Sequence, residues 1–225
     1  MPKELRVILF GATGMVGAGV LQSCLDDVAV TAVLVVVRSP TGRQHPKLKE
    51  LLHQDFFDYS GILDQLAGYN ACLFTLGVTS AGMNEADYTR ITYDLTLATA
   101  EAVLKASPGS SFVYVSGQGT DSTEKGPIMW ARVKGRIENK LLAMDFHPAV
   151  MARPGGIQPL PGVVSKTRWY RLFYAVMNPL FPLMVRYMPQ AATTSVRLGR
   201  AMLIAARGEA GKPILSSLDI NHLGA

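Results

Sequence analysis

The sequence predicts an α/β fold, in which a doubly wound parallel sheet carries a small helical subdomain near the C-terminus. Two observations lead to this prediction. An apolar run from Leu5 to Phe10 leads directly into the glycine turn Gly11–Gly17, and further apolar runs then alternate with helical patterns along the chain. In such sheets, ligands bind at the carboxyl ends of the strands.

The turn Gly11–Gly17 has the features of a phosphate cradle. Gly11 permits a tight turn, Gly14 lets the backbone approach a ligand, and Gly17 lets the following helix pack against the strand. The free N–H groups at the start of that helix point at an anion. The strand before the turn and the helix after it favour a Rossmann-type nucleotide site over an ordinary glycine-rich turn.

The remaining elements alternate in the same way. Strands are predicted for the runs Thr31–Val37, His53–Phe57, Ala71–Leu76, Ser111–Val115 and Ala149–Ala152. One long helix is capped by Asn84, and another begins at Pro127 and has Trp130 on its apolar stripe. Strands that alternate with helices predict a parallel sheet with its ligands at one edge.

The length of 225 residues, with no linker or repeat, predicts a single domain over residues 1–225. Residues 154–212 change to proline-broken helical pieces, which we expect to form a cap on the substrate side. The aromatic-rich segment Arg168–Tyr187 fits a substrate lid, an oligomer contact or a membrane-surface helix, and the first two are favoured. Pro179 and Pro182 interrupt it, so no integral membrane span is expected.

The composition and the N-terminal sequence limit the kinds of partner and the cellular compartment that we expect. The net charge is +5, but the basic residues are scattered, so nucleic acid is not an expected partner. The N-terminus lacks the layout of a signal peptide, which predicts a cytoplasmic location. Cys24 and Cys72 are expected to be buried reduced thiols, and no metal site is expected. We expect a small-molecule substrate and either a monomer or a homodimer.

The end of the second predicted strand bears on cofactor choice. A carboxylate there, about twenty residues past the glycines, would bind the ribose hydroxyls of NAD. This sequence has Arg38 instead, and a guanidinium pairs bidentately with a 2′-phosphate. The sequence therefore favours NADP(H) as the cofactor, against the alternative of a solvated arginine. Asp55 and Phe56, at the predicted end of the third strand, are either adenine contacts or ordinary strand-end residues.

The chain resembles the short-chain dehydrogenase/reductase superfamily over nearly its whole length. The likeness rests on the order of the glycine turn, Arg38, Asp55-Phe56, Leu76-Gly77, Val115-Ser116-Gly117 and Lys134. More narrowly, the chain resembles atypical short-chain dehydrogenases, which are NAD(P)H-binding, epimerase-like proteins related to the HIV Tat-interacting protein. The segments Leu73–Gly77, Val133–Glu138 and Asp219–Gly224 carry this narrower likeness.

The resemblance implies a dinucleotide that lies across the strand ends with its nicotinamide near Ser116 and Lys134, the two candidate catalytic residues. It implies pyrophosphate contacts from Gly11, Thr13, Gly14, Met15 and Val16, a 2′-phosphate contact from Arg38, and adenine contacts from Asp55 and Phe56. It further implies that Leu76 and Gly77 border the ribose, that Lys134 holds the nicotinamide ribose hydroxyls, and that Pro154, Gly155, Gly156 and Ile157 border the carboxamide.

Trp130 departs from the pattern of this superfamily, whose working reductases have a tyrosine one helical turn before the lysine. An indole N–H donates a hydrogen bond but supplies no proton. Ser116 remains able to polarise a carbonyl, whereas Tyr93 and Tyr114 lie outside the spacing, and strand alternation predicts that Tyr114 is a core residue. Two functions stay open: an NADP(H)-dependent oxidoreductase acting on a small apolar carbonyl or enone, and an NADPH-binding sensor or scaffold with little chemistry.

Overall fold

Strands and helices alternate in the computed structural model, which describes residues 4–162 and 181–225. The strands are β1 (Leu5–Phe10), β2 (Val30–Val37), β3 (Leu48–Leu52), β4 (Ala71–Phe74), β5 (Ser111–Val115), β6 (Ala149–Arg153), β7 (Gly156–Gln158), β8 (Ala192–Thr194) and β9 (Ile214–Ser216). The helices are α1 (Met15–Asp26), α2 (Leu63–Leu66), α3 (Glu85–Thr89), α4 (Leu95–Ala106), α5 (Met129–Leu142), α6 (Phe181–Tyr187), α7 (Ser195–Ala206) and α8 (Ser217–Leu223). A π-helical turn, Arg90–Asp94, joins α3 to α4.

Seven strands form one parallel sheet in the order β3-β2-β1-β4-β5-β6-β9. The chain reverses its direction of winding between β1 and β4, and this switch point opens a crevice at the carboxyl ends of the strands. The predicted α/β fold, a doubly wound Rossmann-type sheet, is therefore confirmed. A separate parallel pair, β7 with β8, lies beyond β6.

Both faces of the sheet are buried, as a doubly wound fold requires. Along β1, Val7 and Leu9 belong to one apolar core, and Ile8 and Phe10 belong to the other. Helices α1 and α7 cover the first face, while α4 and α5 cover the second. The continuous apolar run that predicts β1 reflects this burial on both sides.

The third strand differs from its prediction. The structure places β3 at Leu48–Leu52, where it pairs with Val33–Val37 of β2, and residues 53–58 form a loop. As an edge strand, β3 buries only Leu51, so its apolar signal is weak. Within residues 53–57, Phe56 packs into the core under the sheet and Phe57 is exposed. The expectation of a strand at His53–Phe57 was therefore wrong.

The C-terminal third contributes more to the core than the sequence suggests. Within residues 154–212, helix α7 packs along α1, and after this segment β9 adds the seventh strand. Ser23 of α1 donates from Oγ to the Val196 carbonyl (2.9 Å), and a Cβ at Gly199 would lie 2.5 Å from Ser23 Oγ. Helix α7 therefore belongs to the layer that covers the sheet.

The remaining part of that segment is described only at its ends. Most of Arg168–Tyr187 lies outside the described residues, which resume at Phe181 with α6. Among the helices that the structure describes, none is long and apolar enough to cross a membrane.

Candidate functional site

The turn between β1 and α1 is shaped by close contacts between backbone atoms. Gly11 has a φ of +88°, a conformation that side chains disfavour, and a Cβ there would lie 2.6 Å from Thr75 Oγ1. A Cβ at Gly17 would lie 2.0 Å from the Gly11 carbonyl oxygen. Gly14 is the N-cap of α1 and donates its N–H to the Gly11 carbonyl (2.9 Å). Glycine is therefore required at Gly11 and Gly17 if the helix is to start this close to the strand.

The start of α1 is suited to a phosphate group. No side chain caps this 12-residue helix, and its first turn contains no acidic residue. Thr13 and Gly14 are exposed, and Met15 and Val16 are half-buried. The uncapped N–H groups and the helix dipole both favour an anion at this position. The residues present thus fit the pyrophosphate of a dinucleotide.

Arg38 lies at the same edge of the sheet as the glycine turn. Phe10 of β1 pairs with Val36 of β2. Gly11, which follows β1, and Arg38, which follows β2, therefore lie near each other where the two strands end. The side chain of Arg38 is exposed, and the backbone carbonyl of Arg38 accepts a hydrogen bond from Gln54 Nε2 (2.9 Å). An exposed guanidinium here can pair with a 2′-phosphate.

Asp55 and Phe56 occupy the loop after β3, with different exposures. Asp55 is exposed, and its Oδ1 accepts the N–H of Phe57 (2.9 Å). Phe56 is only 7% exposed, and its ring packs edge-on against the rings of Phe10 and Tyr59. The exposed ring in this loop belongs to Phe57, which stacks with Arg90. Contact of Asp55 and Phe56 with adenine stays a prediction.

The loop after β4 is tied to the end of β1. Thr75 donates from its backbone N–H (3.0 Å) and its Oγ1 (2.7 Å) to the Phe10 carbonyl. Leu76 is half-buried, and Gly77 is exposed with open space around it. A Cβ at Gly11 would lie 2.9 Å from Leu76 N, so this loop lies directly against the glycine turn at the switch point.

Ser116 and Lys134 meet at the carboxyl end of β5. Lys134 donates from Nζ to the Ser116 carbonyl oxygen. The buried Ser116 hydroxyl donates to the Ala152 carbonyl (3.2 Å). Burial lowers the pKa of Lys134 from 10.5 to about 8, although the nearby Glu138 acts in the opposite direction. The two candidate catalytic residues are thus in contact.

Trp130 lies one turn before Lys134 on α5 and is half-buried. Its ring packs over the loop after β5, since a Cβ at Gly119 would lie 3.3 Å from Trp130 Cη2. Neither of the other phenols considered takes its place. Tyr114 is 1% exposed, so it is the core residue expected, and the Tyr93 ring is stacked under the Arg136 guanidinium at 4.8 Å.

An ion pair that sequence reasoning missed supports this side of the site. Glu138 is fully buried, and Arg153, at the end of β6, donates from Nε to both of its carboxylate oxygens (3.1 Å each). Arg153 also donates from Nη2 to Ser122 Oγ (2.5 Å). The sequence signal for this ion pair was the position of Glu138 one turn after Lys134. The partner of Glu138, Arg153, lies 15 residues further along the chain.

The loop after β6 lies beside the loop after β5. The Pro154 carbonyl accepts the Gln118 N–H (2.8 Å), and a Cβ at Gly155 would lie 2.3 Å from the Ala191 carbonyl oxygen. Ile157, in β7, is half-buried. Pro154, Gly155 and Ile157 thus flank the residues that follow Ser116.

Comparison with curated sequences finds relatives that are named mitochondrial. Protein fmp52-2 of Aspergillus oryzae is 29% identical over 224 residues, covering 96% of this chain and 95% of the relative. Protein fmp52 of Emericella nidulans is 31% identical over 157 residues, covering 67% of this chain and 66% of the relative. The expectation of a cytoplasmic location is therefore wrong, since both names place these relatives in mitochondria. No family model matches the chain.

Solved structures share the fold at low sequence identity. A short-chain dehydrogenase family protein from Francisella tularensis has a TM-score of 0.68 at 12% identity, covering 95% of this chain and 96% of its own. WbmF of Bordetella bronchiseptica, solved with NAD+, has a TM-score of 0.66 at 15% identity, covering 98% and 77%. A short-chain dehydrogenase of Burkholderia cenocepacia, solved with NADP, has 0.63 at 14%, covering 95% and 87%. This chain thus has the Rossmann-type fold of the short-chain dehydrogenases and epimerases.

Proposed function

We propose that this protein is an NADP(H)-dependent oxidoreductase of the atypical short-chain dehydrogenase type and that it reduces a small carbonyl compound. The observation that carries the choice of NADP(H) is the exposed Arg38 beside the glycine turn. A carboxylate at that position would repel a 2′-phosphate, whereas a guanidinium binds it. The narrower likeness to proteins related to the HIV Tat-interacting protein is part of this proposal.

The cofactor would lie along the switch point. The uncapped start of α1 would hold the pyrophosphate, through Gly11, Thr13, Gly14, Met15 and Val16. Arg38 would bind the 2′-phosphate, and Asp55 and Phe56 would contact the adenine. Leu76 and Gly77 would border the ribose, with Pro154, Gly155 and Ile157 near the carboxamide. When bound, the reduced nicotinamide supplies a hydride.

On the substrate side, Lys134 and Ser116 would be the catalytic residues. Lys134 retains two N–H donors after its bond to the Ser116 carbonyl, which suffice for a ribose hydroxyl and a substrate oxygen. The protein would be a single domain, with a substrate-side cap between β6 and α7. A second candidate, an NADPH-binding sensor or scaffold, is favoured by Trp130, which replaces the usual proton donor.

Thermal unfolding with each nucleotide tests the cofactor. We expect NADPH to raise the Tm more than NADH at equal concentration, because only NADPH carries the phosphate that Arg38 binds. In Arg38→Ala the advantage of NADPH should fall by roughly tenfold in affinity, the worth of a charge-assisted contact. Arg200→Ala, which removes an exposed arginine of α7, is the matched control. Equal protection by both nucleotides in the unmodified protein would contradict the proposed phosphate contact.

A further inference from the structure

We propose that the substrate is a carbonyl compound that also carries a carboxylate, and that a cavity at the carboxyl ends of β6 and β9 binds this carboxylate through Arg153 and Lys212. The inference rests on the proposed oxidoreductase function and names its substrate class. It differs from the small apolar carbonyl compound that the sequence leaves open, because it includes the charges that the fold brings to this edge of the sheet.

The cavity, which we name the edge cavity, has a volume of about 330 Å³. Arg153 ends β6 and pairs with Ser216, which ends β9, and both residues line the cavity. Lys212 and Asp219, before and after β9, line it as well, together with Gln118 of the loop after β5. Sites for small molecules start at about 300 Å³. The edge cavity therefore has the size of a site for a short organic acid.

The edge cavity lies beyond the proposed nicotinamide end of the cofactor site. In the sheet order, β9 is four strands from β1, where the proposed pyrophosphate contacts begin, a distance of roughly 19 Å at the usual strand spacing. Val115 pairs with Ala152, so Ser116 and Arg153 follow side by side on neighbouring strands. A substrate with its carbonyl group at Ser116 and Lys134 would reach the edge cavity by extending away from the cofactor.

The two cations of the edge cavity keep hydrogen-bond donors for a further acceptor. Arg153 binds Glu138 through Nε and Nη2, and Nη2 also donates to Ser122. The two N–H groups of Arg153 Nη1 have no hydrogen-bond partner within residues 4–162 and 181–225. Lys212 Nζ lies 2.7 Å from Asp219 Oδ1, which leaves two ammonium N–H groups. A carboxylate can accept from both side chains.

Ser217 gives independent support for a polar ligand in the edge cavity. This residue is 2% exposed and lines the cavity, and its Oγ has no hydrogen-bond partner in the part of the chain that the structure describes. Leaving a buried hydroxyl unpaired destabilises a protein. An oxyanion in the edge cavity would accept this hydrogen bond, which an apolar ligand cannot do.

The carboxylates near the edge cavity are already engaged. Asp219 is the acidic residue among the described cavity residues, and its Oδ2 accepts the Ser216 N–H (2.7 Å) and the Ser216 hydroxyl (2.5 Å). Glu138 is held by Arg153, and the exposed Asp121 accepts from Thr123 and Gly126 in its own loop. These bonds leave the free N–H groups of Arg153 and Lys212 to the ligand.

The distribution of charge along the sequence also favours an anionic substrate. Residues 146–208, which include β6 and α7, contain eight basic residues and no aspartate or glutamate, whereas the whole chain has a net charge of +5. The segment 163–180 is part of this range, so it adds no carboxylate that could compete with a ligand. Positive charge on one side of a protein raises the local concentration of anions there.

Binding of 5-oxohexanoate and of its methyl ester, with NADP+ present, tests the edge cavity without turnover. The ester has the same carbonyl chain but lacks the charge. Isothermal titration calorimetry should give a Kd that is roughly tenfold lower for the carboxylate, as a charge-assisted contact implies. Equal affinity of the acid and the ester for the unmodified protein would overturn the proposal.

Two changes of charge test where the carboxylate binds. Lys212→Met removes a cation that is 51% exposed, so we expect the Kd of the carboxylate to rise by about threefold. Lys49→Met, which removes an exposed lysine of β3, is the matched control and should leave this Kd unchanged. Replacing Arg153 and Glu138 together by glutamine leaves no unpaired buried charge and should make the acid and the ester bind equally. A preference for the acid that survives this double change would contradict the role of Arg153.

Ser217→Ala separates ligand binding from stability. Loss of an unpaired buried hydroxyl should keep or raise the Tm, while the Kd of the carboxylate should rise by about threefold because one hydrogen bond is lost. Ser110→Ala, which removes another buried hydroxyl without a partner among the described residues, should affect only the Tm. An unchanged Kd in Ser217→Ala would contradict binding of the carboxylate in the edge cavity.

Turnover of the same pair with NADPH tests the substrate class. We expect kcat/KM to be about tenfold higher for 5-oxohexanoate than for its ester, with the difference mainly in KM because the carboxylate is remote from the reacting carbonyl group. Faster reduction of the ester would overturn the proposal but leave the oxidoreductase function intact. Failure to reduce either compound would contradict the oxidoreductase function, and the calorimetric titration would still decide whether the edge cavity binds a carboxylate.

Discussion

The proposed cofactor side and the proposed substrate side of this site are built in different ways. On the cofactor side, Gly11 and Gly17 allow the backbone to run within contact distance of itself, and the helix start and Arg38 remain open to a ligand. On the substrate side, the polar side chains bind one another or the backbone, as Lys134 does with the Ser116 carbonyl and Glu138 with Arg153. In the proposed site, cofactor binding would thus depend on backbone shape, and substrate binding on the balance of buried charge.

Breaking the buried ion pair should have the largest effect. Glu138→Gln leaves the Arg153 guanidinium, 19% exposed, without a counter-charge, and we expect a loss of about 3–5 kcal/mol in the free energy of unfolding. Urea titration measures it. Glu209→Gln, at an exposed position, should change stability by less than about 0.5 kcal/mol. If Glu138→Gln costs no more than this control, charge balance does not determine the substrate side.

Gly17→Ala should be next in size and should act on the cofactor side. A Cβ placed 2.0 Å from the Gly11 carbonyl oxygen forces the start of α1 away from β1, which we expect to cost about 2–3 kcal/mol. Protection by NADPH in thermal unfolding should disappear. Gly61→Ala is the matched control, because a Cβ there meets nothing within 4 Å. Normal NADPH protection in Gly17→Ala would show that backbone shape does not govern this side.

The pH dependence of Lys134→Met should show a smaller effect of the opposite sign. The pKa of Lys134 is about 8 in the folded protein, against 10.5 as the ordinary value, so the cost of burying its charge is full below pH 8. That cost is relieved as the pH rises towards 10.5, because the folded protein gives up the proton first. Lys134→Met should therefore be more stable than the unmodified protein at pH 7, by on the order of 2 kcal/mol.

Urea titrations of both proteins at several pH values measure this difference. The advantage of Lys134→Met should shrink steadily above pH 8, since other titrating groups are common to both proteins. An advantage that stays constant with pH would mean that the folded protein does not disfavour the Lys134 charge.

Asp55→Ala should have the smallest effect. It removes the hydrogen bond from Phe57 N–H to Asp55 Oδ1 (2.9 Å), at a cost of about 1 kcal/mol. If Asp55 also contacts the adenine, the Kd for NADPH should rise severalfold, which fluorescence titration measures. An unchanged Kd would limit Asp55 to holding the loop.

The sequence predicts more of the proposed cofactor side of the site than of the proposed substrate side. The turn Gly11–Gly17 is local in sequence, so its residues predict both the close approach of the helix to the strand and the helix that follows. Phe56 lies in a loop instead of a strand because β3 begins five positions before its prediction, and Phe56 and Tyr59 pack into the core under the sheet. A boundary set by pairing with β2 is not visible in the local pattern.

The ion pair between Glu138 and Arg153 escapes sequence reasoning for another reason. Its members belong to α5 and β6, and only the packing of that helix beside that strand brings the two side chains together. The same holds for α7. Its apolar residues fit a substrate-side cap when only the sequence is considered, and their packing against the sheet and α1 is seen only in the folded structure. Long-range packing, rather than propensity, decides both cases.

The contact between α1 and α7 has a consequence for how this protein is made. Helix α1 begins at residue 15, but the helix that covers it begins at residue 195, so the ribosome has synthesised most of the chain before α1 can be enclosed. Gly199 and Ser23 are in close contact where the two helices cross. A chain cut short before α7 leaves the apolar side of α1 in water, where quality-control proteases find it.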